Sequence, residues 1–189
     1  MKYIFCLLIS LFLFSCGTSE QKETDSNTIA KADTVQPTSE KVVQELHFSD
    51  VLKTITIANI NQFIHPEKGL WLIQSPGAMP NMTKTTQVDK NFPVDFLALK
   101  EEELPKVNCD SKSFWTKDGC FAQEVNTFKD EKIWTYCGLK KEDEAKVGES
   151  AKAIQYTVIN TSLYARYYFG QIDGKWYLLF ADLRRPCEA

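Results

Sequence analysis

The strongest constraint on this chain lies at its C-terminal end. Residues 152–160, 162–171 and 175–184 are rich in β-branched and aromatic types, and Asp173-Gly174 sits between the last two. An Asp-Gly pair between such runs predicts a two-residue hairpin, because both turn positions need a positive φ that these residues tolerate. That loop sets Phe169 opposite Leu178, Tyr167 opposite Phe180 and Ala165 opposite Asp182. The other face then carries Tyr164, Arg166 and Tyr168 against Tyr177, Leu179, Ala181 and Leu183. Neither face is purely polar, so the hairpin is expected within a sheet covered on both sides. Helical patterns come first and strands follow. The expected class is α+β, an N-terminal helix packed on a curved, largely antiparallel C-terminal sheet.

Upstream signals are weaker. Ser49 to Ile64 suits an amphipathic helix, with Ser49 as cap, Asp50 at the positive end, and Val51, Leu52, Ile55, Ala58 and Phe63 at helical spacing. His65-Pro66 ends it, since a residue before proline is pushed out of the helical region. Leu70 to Ile73 reads as a short buried strand. Ser75 to Lys90, with two prolines and a glycine, reads as a long loop, and Val94 to Leu104 as a second short helix stopped by Pro105. Ser113 to Val125 reads as a strand pair turning at Lys117-Asp118-Gly119, and Lys132 to Cys137 as a further strand. Lys140 to Gly148 is charged on nearly all sides and reads as a solvated helix, with Glu142 and Lys146 at pairing distance. Glu101-Glu102-Glu103 reads as a solvated run.

The opposite end of the chain carries an address. Met1-Lys2 is followed by the apolar stretch Tyr3–Phe14, broken only by Ser10. At about 1.5 Å per residue it makes roughly 18 Å of helix, too short for a bilayer core of about 30 Å but right for a secretory leader. Leu13-Phe14-Ser15-Cys16 resembles the lipobox of bacterial lipoproteins, with Leu13, Ser15 and Cys16 at the matching positions and Phe14 bulkier than is usual. The resemblance implies a signal peptide over residues 1–15, lipidation of Cys16 and anchoring in the membrane. Gly17, which is not the inner-membrane retention aspartate, points to the outer membrane. Residues 16–45 hold no aromatic side chain, and acidic residues outnumber lysines, so they form a flexible tether rather than a core. Residues 46–189, with all four tryptophans, are large enough for a single globular domain. The ending Gly174-Lys175-Trp176-Tyr177-Leu178 with Pro186-Cys187-Glu188-Ala189 resembles that of small Bacteroidetes-type envelope lipoproteins. The helix-first order with a C-terminal sheet is also similar to nuclear-transport-factor-2-like cone folds.

Export changes the meaning of the cysteines. With Cys6 in the leader and Cys16 lipidated, Cys109, Cys120, Cys137 and Cys187 remain, an even set in an oxidising compartment, and two disulfides are expected. Proximity favours Cys109–Cys120, and strand ends favour Cys137–Cys187. A hairpin over 120–137 would instead bring Cys120 to Cys137. The spacings are not those of a metal site, and His47 and His65 lie far upstream, so no metal and no cofactor is expected.

A net charge of −3 with three scattered arginines offers no basic stripe, so nucleic acid is not an expected partner. No nucleophile elbow, phosphate loop or dinucleotide fingerprint is present. His47 borders the tether and His65 precedes a proline at a helix end, both structural positions. Asp182, placed beside Ala165 on an aromatic face, would need Arg184 or a backbone donor to satisfy it. Tyr164, Arg166, Tyr168 and Tyr177 form a candidate pocket for a flat or anionic ligand. The competing reading puts the Ser49–Ile64 helix over that face, with Arg166 paired to a carboxylate. Two function classes follow. One is a non-catalytic, lipid-anchored domain that binds an envelope protein or a small ligand. The other is a cone-fold pocket enzyme using Asp182 or His65 as acid or base.

Overall fold

A computed structural model describes residues 47–128 and 137–187. The expected leader, the tether with Cys16 and nearly all of the 132–137 strand lie outside them. In chain order the elements are α1 (Phe48–Lys53), a 3-10 turn (Ile60–Phe63), β1 (Leu70–Gln74), β2 (Asn81–Thr85), β3 (Leu99–Glu101), β4 (Cys120–Gln123), α2 (Lys141–Lys152), β5 (Ile154–Asn160), β6 (Ala165–Ile172) and β7 (Lys175–Asp182). The strands form one mixed sheet in the order β2-β1-β7-β6-β5-β4-β3. β1 runs parallel to β7 and β3 parallel to β4; the other neighbours are antiparallel. The class is α+β, dominated by sheet.

The last hairpin turns where Asp173-Gly174 predicts, with φ of 50° and 74° at the two turn residues. From Ile172↔Lys175 to Phe169↔Leu178 the expected register holds. A bulge then absorbs one extra residue, Leu179, and beyond it Tyr168 faces Phe180, Tyr167 faces Ala181 and Arg166 faces Asp182. The expected pairs Tyr167–Phe180 and Ala165–Asp182 are therefore corrected. Side chains alternate with a period of two, so a one-residue slip moves every later side chain to the other face. Its main consequence is that Asp182 shares a face with Arg166.

Both faces of the hairpin are covered. Tyr167, Tyr168 and Phe169 are consecutive, so they point to alternating sides, and all three are fully buried. On one face Tyr167, Phe169, Leu178 and Ala181 meet Phe48, Leu52, Ile60 and Phe96. On the other, Tyr168, Leu179 and Phe180 join Trp71 and Ile73 beneath Phe128, Val147 and Ala151. Thus α2, expected to be solvated all round, buries Val147, Ser150 and Ala151, and Lys146 pairs with Asp143 at 3.0 Å instead of Glu142. Gly170 lets β6 approach the end of this helix, because a Cβ there would sit 2.0 Å from the Ala153 carbonyl oxygen.

Five further expectations are corrected. The Ser49–Ile64 helix stops after Lys53. Thr54 Oγ1 donates to the Val51 carbonyl, while Asn59 accepts from Thr56 N at 2.7 Å and donates to the Thr54 carbonyl at 2.9 Å. These side chains take the backbone groups a helix would use, yet Leu52, Ile55, Ile60 and Ile64 stay buried. Phe48 of α1 stacks on Trp176 at 3.7 Å and lies against Phe169, so α1 packs on the face opposite Arg166. The 75–90 stretch contains β2, an edge strand in which only Met82 is buried. In place of a helix over 94–104, Asp95 accepts from Leu97 N, Phe96 turns into the core and β3 follows. Only 120–123 of the expected 113–125 strand pair is strand. Residues 106–116 fold back as a looped arm with a Val107–Trp115 bridge and a bond from Thr116 N to the Lys106 carbonyl.

Candidate functional site

One disulfide joins Cys109, in that arm, to Cys187 in the C-terminal tail. The expected Cys109–Cys120 and Cys137–Cys187 pairings do not form. Cys120 on β4 faces the Tyr167 layer and Cys137 lies in the Tyr168 layer, so the sheet separates the two thiols. Burial, with the Asp95 carboxylate adding to it, pushes the Cys120 thiol up to about 12. Burial also raises Cys137, opposed by the Arg184 cation and reinforced by Asp182.

The structure disperses the four candidate pocket residues. Tyr168 is fully buried, its ring 4.9 Å from Phe128. Tyr177 lies against the His65 ring at 4.8 Å. Tyr164, with φ of 51°, ends the turn between β5 and β6 and sits under the Arg185 guanidinium at 4.5 Å. Arg166 takes none of these rings and lies 5.2 Å from the centroid of Trp115. The expected pocket of three phenols around one guanidinium is therefore corrected.

Arg166 is instead part of a charged cluster made possible by the bulge. Asp182, 1% exposed, accepts from Arg166 Nη1 at 3.0 Å, from Arg184 Nη2 at 2.7 Å, from Arg184 Nε at 2.8 Å and from Arg184 N at 3.2 Å. Charge-assisted bonds of this kind compensate the burial of a carboxylate and fix the guanidiniums that supply them. Both oxygens of Asp182 are thus engaged, which suits a positioning group rather than a proton donor. His65 is occupied as well: its Nδ1 accepts from Glu67 N at 3.2 Å and Lys68 N at 3.1 Å, holding the turn before β1. It lies beside Tyr177, near the turn of the β6–β7 hairpin, about 15 Å along β7 from Asp182, so the two do not converge. His47 is 3.0 Å from Ser49 Oγ and 3.6 Å from Glu101.

Beside Arg166 the sheet opens into a cavity of about 330 Å³. Arg166, Ile159 and Gln123 come from β6, β5 and β4. The segment Glu103–Val107 and Trp115 of the looped arm, with Val125 and Thr127, complete the wall. Arg166 is oriented from two sides, by Asp182 and by the Trp115 ring. Trp115 is 3% exposed, and its Nε1–H finds no acceptor among the described residues. Lys106 pairs loosely with Glu103 at 3.8 Å, both side chains largely in solvent. The wall is mostly apolar, with its charges at a few points, as small-molecule sites are built. Sequence reasoning reached Arg166 but not Lys106, Val107 or Trp115, because nothing local shows that this arm folds against β6. No family model matches the chain, and neither the curated proteins nor the solved structures include a detectable match to it.

Proposed function

We propose that the protein is a lipid-anchored, non-catalytic binding domain of the bacterial cell envelope, held at the outer membrane through Cys16 and presenting the cavity beside Arg166 to a small ligand. The observation that carries the binding reading is the cavity of about 330 Å³ walled by Trp115 and by an Arg166 whose direction Asp182 has already set. A preset cation loses little freedom when it meets a ligand, which is where much of an affinity is otherwise lost. The acid–base reading is disfavoured because Asp182 and His65 are spent on structural hydrogen bonds and stand far apart. The anchor rests on Leu13-Phe14-Ser15-Cys16 behind its short apolar leader.

Two experiments test the two halves. Cys16→Ala should yield an unprocessed precursor that takes up no labelled palmitate; continued labelling would remove the anchor. A ligand-observed NMR screen of small fragments against the full chain should give hits that vanish in Val107→Trp, which fills the cavity from its exposed rim. Hits that persist unchanged in that variant would place binding elsewhere.

A further inference from the structure

We infer that the cavity takes a small apolar carboxylate, one anionic head on an aryl or short alkyl body; this rests on the binding role proposed above. Size sets the first limit. A cavity of about 330 Å³ lies at the small end of the range of ligand sites, about 300–1,000 Å³. That size suits one ring with a short acid side chain better than a lipid with full-length chains.

The lining sets the second limit. Leu104, Pro105, Val107, Val125, Ile159 and Trp115 offer apolar surface. Val107 is 44% exposed, one of few large apolar side chains among the described residues left in solvent. A guest with an apolar body would cover it.

Charge sets the third limit. Among the described residues, the cations at the wall are Arg166 and Lys106, and the one carboxylate is Glu103, with a side chain 70% exposed and a loose 3.8 Å contact to Lys106. Lys106 can swing onto a guest at little cost, since exposed pairs of this kind contribute less than about 1 kcal/mol. Arg166 adds its field from the sheet while keeping its bond to Asp182. A phosphate head is a poorer fit. Many phosphate sites gather successive backbone N–H groups from glycine-rich turns, whereas the described residues of this wall include no glycine and do include Pro105, which has no N–H.

Calorimetric titration of the full chain in lipid nanodiscs tests this with three probes: 3-phenylpropionate, its neutral amide, and acetate. The acid should bind saturably and about fivefold more tightly than the amide, the scale of one exposed charge pair, while acetate gives no saturable heat. Lys106→Gln should bring the acid to within about twofold of the amide, and Val107→Trp should abolish both. Equal affinity for acid and amide, each blocked by Val107→Trp, would overturn the carboxylate assignment and leave the binding site standing. Absence of saturable binding by all three probes would overturn the assignment and the binding role together.

Discussion

On the face that carries Tyr167 and Phe169, one apolar layer runs across β1 and from β3 to β7. On the face that carries Arg166 and Tyr168, the layer formed by the described residues covers β2, β1, β7 and β6 but meets β5 only at Ile154 and does not reach β4. Where it stops, Arg166, Ile159 and Gln123 line a cavity. Among the described residues, the same sheet is therefore sealed on one side and carries an open cavity at one end of the other. The bulge at Leu179 links the two conditions, because it delivers a carboxylate to the open face and keeps the sealed one free of charge.

The comparison can be broken most forcefully at its centre. Phe169→Ala on the sealed face should cost about 3–5 kcal/mol as a core truncation. Asp182→Ala on the open face should cost a similar amount for a different reason, since it leaves the Arg166 and Arg184 cations together without the carboxylate they share. Chemical denaturation distinguishes them through Asp182→Asn, which keeps the shape but lowers the charge and should still lose more than half of the Ala effect. A near-neutral Asp182→Ala would mean that the open face is held by something else.

The disulfide comes next. It ties the cavity's arm to the tail across 78 residues, and replacing both Cys109 and Cys187 with Ser should cost about 2–4 kcal/mol. The exchange of amide hydrogens in 104–116 should rise more than that in β6, because the arm, unlike β6, loses a covalent tether.

A smaller effect belongs to pH. The folded-state value of Cys120, about 12, lies above its ordinary 9.0, so its contribution is complete below pH 9 and is lost as pH rises toward 12. Wild type should therefore lose about 2 kcal/mol relative to Cys120→Ala between pH 9 and 11. Parallel decline of the two proteins would place the Cys120 thiol in contact with water. The smallest change is Lys106→Gln, expected within about 0.5 kcal/mol of wild type, so that a loss of ligand affinity in that variant cannot be ascribed to unfolding.

What the sequence made legible was governed by local chemistry. Asp173-Gly174 dictates its turn through φ, and the aromatic density of 165–172 foretells a strand buried on both sides. The Leu179 bulge was not legible, because register beyond a turn is chosen by what packs on each face. The α1 boundary was missed because a short helix followed by a 3-10 turn buries the same apolar positions as one long helix. β2 was missed because an edge strand with one buried residue has no period to detect. The site was half legible. Arg166 stood out as a cation among aromatics, whereas Trp115 beside it and Lys106 on the same cavity come there only through a long-range fold of the 106–116 arm.

The charged contact that the bulge creates is the point on which the open face depends, and a double-mutant cycle between Arg166→Ala and Asp182→Ala measures it directly by denaturant unfolding. The two residues are predicted to couple by at least about 1.5 kcal/mol, the double variant being less damaged than the sum of the single ones. Additivity within about 0.5 kcal/mol would contradict the pairing and, with it, the placement of Asp182 on the face of Arg166.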